Sequence, residues 1–179
     1  MSRIGKKPIP LPKGVKVQWE DGKVTVTGPQ GKLDQVMPPR VLLEIGKDEI
    51  KVQPQDDNRL TRSYWGLART LVANMVTGVS AGFTRVLELS GTGYKVEVKA
   101  PGLVFSIGYS KPVEFPLPKG ITAQVEKATR LELKGFNKEL LGQTTAVIRA
   151  LRPPDAYKGK GIKNLGEVLR RKMGKAGGR

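Results

Sequence analysis

The amino-acid sequence predicts an α+β protein: two tandem duplicated domains, each a small, mostly antiparallel sheet packed against one helix, plus a basic C-terminal tail with a short helix. Three observations carry this. Short runs alternate apolar and polar residues between turns rich in Gly and Pro, the pattern of half-buried strands. Helical spacing dominates only two long stretches, each placed after a set of strands. The order of strands followed by one helix also occurs twice within 179 residues, a length that suits one ordinary domain or two small ones.

The elements follow in order. After a basic arm, Val15, Val17 and Trp19 alternate with Lys16, Gln18 and Glu20, and Val24 and Val26 continue beyond Asp21-Gly22, a hairpin signal. Gly28-Pro29-Gln30-Gly31 leads to a strand over Leu33 to Val36, then to Val41, Leu43 and Ile45, then to Ile50 and Val52. From Asn58 the period becomes helical, with Leu60, Tyr64, Leu67, Leu71 and Met75 as the expected apolar stripe and Gly78 as the expected stop. Arg59, Arg62 and Arg69 fall off that stripe, on a face expected to be solvated.

The pattern then restarts. Leu87 and Leu89 lead through Gly91-Thr92-Gly93 to Tyr94, Val96 and Val98; Leu103, Phe105, Ile107 and Tyr109 follow Pro101-Gly102. Ile121, Ala123 and Val125, then Leu131 and Leu133, precede a helix expected from about Asn137 to Leu151. Two repeat registers compete. One matches Pro10-Leu11-Pro12-Lys13-Gly14 to Pro116-Leu117-Pro118-Lys119-Gly120, but it sets an early strand against a late one. The other matches Ile50-Lys51-Val52 to Leu131-Glu132-Leu133 and places Val24-Thr25-Val26 opposite Val96-Glu97-Val98. The second keeps the order of elements and is preferred. It gives an N-terminal domain over 1–81 with its basic arm, a repeat over 82–152, and a basic loop, short helix and tail over 153–179.

Charge narrows the function. Lys and Arg number 32 against 16 Asp and Glu, a net +16, which makes nucleic acid the leading partner class and an anionic membrane surface the second. The chain has no Cys and no His, which excludes disulfides, Cys/His zinc sites, Cys nucleophiles and His-based triads. No apolar run approaches the roughly 18 residues of a membrane span. Met1 to Lys7 leads into Pro8 and Pro10 instead of an apolar core, so no secretory signal is expected and the protein reads as cytoplasmic. Glu20-Asp21, Asp48-Glu49 and Asp56-Asp57 fall at predicted turns, where carboxylates face water. Gly159-Lys160-Gly161 and Gly91-Thr92-Gly93 complete neither phosphate-loop pattern. No catalytic residue, metal site, cofactor or small-molecule substrate is therefore expected.

The strongest signal lies from Pro154 to Ile162. Pro153 and Pro154 end the second helix, and Lys158 and Lys160 then alternate with Gly159 and Gly161 beside Tyr157. Residues 152–179 carry nine basic and two acidic side chains, +7 of the total. Ile162, Leu165, Val168, Leu169 and Met173 recur at helical spacing, which predicts the short helix, and the residues beyond Met173 are expected to stay disordered until bound. Deleting 152–179 is expected to leave two folded domains. Phe, Trp and Tyr total only 6%, so structured RNA read by shape is favoured over single strands read by stacking. An RNA-processing or ribosome-assembly accessory factor is the competing class.

Pro154-Asp155-x-Tyr157-Lys158-Gly159-Lys160-Gly161-Ile162 closely resembles the signature of the bacterial large-subunit ribosomal protein six family. Ser2-Arg3-Ile4-Gly5-Lys6-Lys7-Pro8-Ile9, Gly82-Phe83-Thr84, Gly91-x-Gly93-Tyr94 and the two-fold repeat are similar to that family too, so the likeness covers essentially the whole chain. It departs after Ile162, where members often carry a basic-aromatic pair and this chain has Lys163-Asn164. The resemblance implies a non-enzymatic, structural component of the large ribosomal subunit that holds 23S rRNA near the stalk base and factor-binding region, beside neighbouring ribosomal proteins. The residues expected at rRNA are Arg152, Tyr157, Lys158, Gly159, Lys160, Gly161, Lys163, Arg170, Arg171, Lys172 and Lys175.

Overall fold

The computed structural model describes residues 2–174, and within them the chain divides into two compact units. Residues 2–83 with 136–138 form the first; 84–135 with 139–174 form the second.

The first unit begins with β1 (Ile9–Pro10), β2 (Lys16–Glu20), β3 (Lys23–Gly28) and β4 (Gly31–Val36). It continues with β5 (Val41–Ile45), β6 (Glu49–Pro54) and α1 (Arg59–Ser80). Asp21 and Gly22 both take positive φ, 45° and 75°, the geometry that lets a two-residue loop follow the right-handed twist of its strands. Glu20 consequently faces Lys23, and β2, β3 and β4 form an antiparallel meander. A second sheet runs β1-β6-β5. Ile9, Val24, Val26, Ile50 and Val52 pack with Ala68, Val72, Met75, Val76 and Val79 in one core.

Two details of α1 correct the sequence expectation. Leu60 and Leu67, expected on the buried stripe, are 58% and 49% exposed, while Thr61, Ala68, Val72, Met75, Val76 and Val79 are buried. The stripe is rotated by about one residue. Trp65 is consistent with this facing, its Nε1–H donating to the Val52 carbonyl at 2.6 Å, and small Ala68 is fully buried on the same side. The helix also runs past Gly78 to Ser80, and the chain leaves it at Gly82, with φ +75° and its N–H on the Gly78 carbonyl.

The second unit holds β7 (Phe83–Ser90), β8 (Lys95–Lys99), β9 (Gly102–Ser106) and β10 (Val113–Pro116). It then has β11 (Ile121–Glu126), β12 (Arg130–Gly135), α2 (Lys138–Leu151) and β13 (Gly161–Asn164). The meander recurs as β8-β9-β10 and the other sheet as β11-β12-β7, now extended by β13. Both sheet orders thus repeat. By position β6 matches β12, as the preferred register has it, but Val24-Thr25-Val26 on central β3 corresponds to β9. Val96-Glu97-Val98 instead lies on edge strand β8, where Val98 is 54% exposed. Period-2 alternation reports a buried face and says nothing of edge or centre, hence the mismatch.

The tail differs most. No helix forms after Ile162 among the described residues: Gly161–Asn164 is a strand, antiparallel to β7 with Ile162 opposite Leu89, and residues 167–174 have no regular structure. Ile162 is fully buried, whereas Val168 and Met173 are 94% and 79% exposed. The open edge of β7 offers this segment a ladder, and one buried side chain there outweighs a sparse apolar stripe with nothing to cover it. Residues 175–179, expected to be disordered, lie outside the described residues.

Candidate nucleic-acid interface

Residues 152–162 close a loop between α2 and β13. Pro153 and Pro154 end the helix, and the backbone then bonds to itself: Ile162 N–H donates to the Arg152 carbonyl at 2.8 Å, Asp155 N–H to Lys160 at 2.9 Å and Gly159 N–H to Asp155 at 3.0 Å. The Asp155 carboxylate turns inward and accepts from the N–H groups of Tyr157 (3.2 Å) and Lys158 (2.9 Å). The Lys158 N–H above all holds this carboxyl below the usual range. An acid within the basic run thereby serves as its internal cap.

Gly161 shows why the loop needs glycine. Its φ is +147°, and a Cβ there would lie 2.6 Å from Pro154 Cα and 2.7 Å from the Pro153 carbonyl oxygen. Gly159 is covered by Arg171, whose guanidinium Nη2 lies 3.1 Å from where a Cβ would be. Both glycines are buried, so they shape the loop from within and present no surface.

The tail is anchored to the same place. Glu167 accepts from Arg149 through Nε at 3.2 Å and Nη2 at 2.5 Å, and from the backbone and side-chain amides of Asn164 at 3.0 and 3.2 Å. These bonds, the Arg149 guanidinium first, push its carboxyl down to about 2. Lys172 N–H donates to the Ala156 carbonyl at 2.8 Å, which brings Arg171 and Lys172 back to the loop.

The residues expected at RNA therefore divide. Tyr157, Lys158, Lys160, Arg170, Arg171 and Lys172 are exposed. Among the described residues none of the five cations in that group has a carboxylate at salt-bridge distance. Lys163 is half-buried and pairs with Glu88 at 3.1 Å. Arg152 is half-buried over the Tyr109 ring, 5.1 Å from its centroid. Lys175 lies outside the described residues.

Tyr94 and Tyr109 are not marked as site residues by the sequence pattern, which places both on strands. They line a cleft of about 580 Å³ with Arg152, Pro153, Pro154, Asp155, Ala156, Lys158 and Lys160. The signal available is two Gly-Tyr pairs, Gly93-Tyr94 and Gly108-Tyr109, both outside the regular strands. In the first unit, by contrast, the helix arginines are engaged locally. Arg62 makes a two-point pair with Asp57, both bonds 2.7 Å, and Arg69 donates to the carbonyls of Lys7 and Pro8.

The family model described as ribosomal protein L6 matches twice, over residues 11–82 and 90–164. The second match ends with β13 and so takes in the whole loop. The large ribosomal subunit protein uL6 of Desulfatibacillum aliphaticivorans is 55% identical over 177 residues, covering 99% of both chains. Those of Trichodesmium erythraeum and Geobacter sulfurreducens are each 51% identical at the same coverage. With its two matched repeats and relatives aligned nearly end to end, the chain belongs to the ribosomal protein L6 family.

Proposed function

We propose that this chain is a structural, non-enzymatic constituent of the large ribosomal subunit that binds and stabilises folded 23S rRNA near the stalk base and factor-binding region. It works there among neighbouring ribosomal proteins, in the ribosomes of the cytoplasm. The observation that carries the proposal is the closed loop with Lys158 and Lys160 outside and its only acid, Asp155, turned in. A loop already held by its own hydrogen bonds gives up little conformational freedom on binding, so its ammonium groups meet phosphates at low entropic cost. Arg171 and Lys172, returned to the loop by the Lys172 N–H bond, widen the cationic surface. Such contacts supply affinity without reading sequence, and the shape of the folded RNA supplies selectivity. No helix among the described residues is long and apolar enough to cross a membrane.

Replacing Lys158 and Lys160 together by Ala is expected to weaken binding to 23S rRNA fragments. Its log-log salt dependence should flatten by roughly 0.7 to 0.9 for each phosphate that the variant no longer neutralises. An unchanged slope would show that neither lysine meets a phosphate.

A further inference from the structure

The cleft beside the loop is built differently from a surface that only meets phosphate. Two tyrosine rings and two prolines line it, where a phosphate group needs only donors and charge. Its aromatic side is held rigid. A Cβ on Gly91 would lie 2.7 Å from the Tyr94 ring, and one on Gly108 would lie 3.2 Å from it, so the ring is seated against two glycines. The Tyr109 hydroxyl donates to the Leu151 carbonyl at 2.9 Å, which fixes that ring while leaving the residue 48% exposed. Arg152 lies over the Tyr109 ring, its guanidinium carbon 5.1 Å from the centroid, and the neighbouring Tyr109, chiefly, and Tyr94 favour its charged form. A guanidinium held over a ring at cation–π distance leaves its outer side open to a further planar group. Lys158 and Lys160 stand on the same cleft.

We infer that this cleft takes one unpaired nucleotide of the bound RNA, its base stacked in the Tyr94–Tyr109–Arg152 pocket and its flanking phosphates on Lys158 and Lys160. Within an A-form helix each base face is covered by its stacked neighbours, whereas an unstacked base offers a flat face to aromatic rings and guanidinium planes. Stacking therefore supplements shape at this one place, despite the low aromatic content. The inference rests on the proposed RNA contact and adds to it one kind of nucleotide that the cleft takes in.

The test uses the full chain and two probes: an RNA hairpin with a single bulged 2-aminopurine nucleotide, and its fully paired counterpart. The wild-type protein is expected to bind the bulged hairpin more tightly and to quench its fluorescence. Tyr109→Leu is expected to lower that affinity roughly five- to hundred-fold, to abolish the quenching and to leave the paired hairpin unaffected. Tyr109→Phe, which keeps the ring and removes only the hydroxyl bond, should retain the preference. Equal wild-type affinity for the two hairpins without quenching overturns this inference and leaves the RNA contact standing. Failure to bind either hairpin also overturns the inference, while the rRNA contact itself stands or falls on the binding of 23S rRNA fragments. An equal fall in affinity for both hairpins in Tyr109→Leu would assign the residue a structural role and also overturn the inference.

Discussion

Glu167 shows how one residue ties the tail to the fold. Two bonds from Arg149 and two from Asn164 meet on its carboxylate, which is held at about 2 against an ordinary 4.5. Because the folded value is depressed, its contribution is complete above about pH 4.5 and is lost as pH falls toward 2. Glu167→Gln is expected to lower unfolding stability at neutral pH by about 1–2 kcal/mol, the scale of charge-assisted bonds on a partly buried group. The difference from wild type should shrink in urea melts taken below pH 4.5. A constant difference across that range would contradict the assignment. Gly161 is the second sensitive position. Gly161→Ala places a methyl against Pro153 and Pro154 backbone and is expected to cost more than about 2 kcal/mol, since neither proline can yield.

At the scale of elements, the first helix separates what periodicity reveals from what it hides. Its existence, its start near Asn58 and its place after the strands of the first unit are legible from spacing alone. Its facing is not, because Leu60 and Leu67 outrank Thr61 and Ala68 in hydrophobicity, whereas the fold buries Ala68, Val72, Val76 and Val79 and bonds Trp65 to Val52. Val72→Ala is therefore expected to cost about 2 kcal/mol, and Leu67→Ala within about 0.5, when each is read by chemical denaturation. The reverse order would place the core on the other face. The Lys/Gly loop is legible too, since its composition stands out in the chain. Strand β13 is not: Lys163-Asn164 carries no alternation, and only the open edge of β7, created by the tertiary fold, makes a strand of it. The two cleft tyrosines are hidden for a related reason, each continuing an alternating run into a loop.

At the scale of the molecule, β13 revises where the chain can be cut. Deleting 152–179 looks harmless from sequence, but it removes buried Ile162, a strand of the second unit's sheet and the Glu167 partner of Arg149. That truncation is expected to destabilise the second unit. Deleting 168–179 keeps all three and should leave thermal unfolding close to wild type while weakening rRNA association and flattening its salt dependence. The two truncations thus separate folding from binding. Contact between the second unit and 23S rRNA through this loop is directly testable, because the chain has no cysteine. Ala156→Cys, carrying a tethered Fe(II)-EDTA group and assembled into large subunits, is expected to cleave 23S rRNA at a tight cluster of nucleotides. Cleavage from Lys47→Cys in the first unit, with none from position 156, would contradict it.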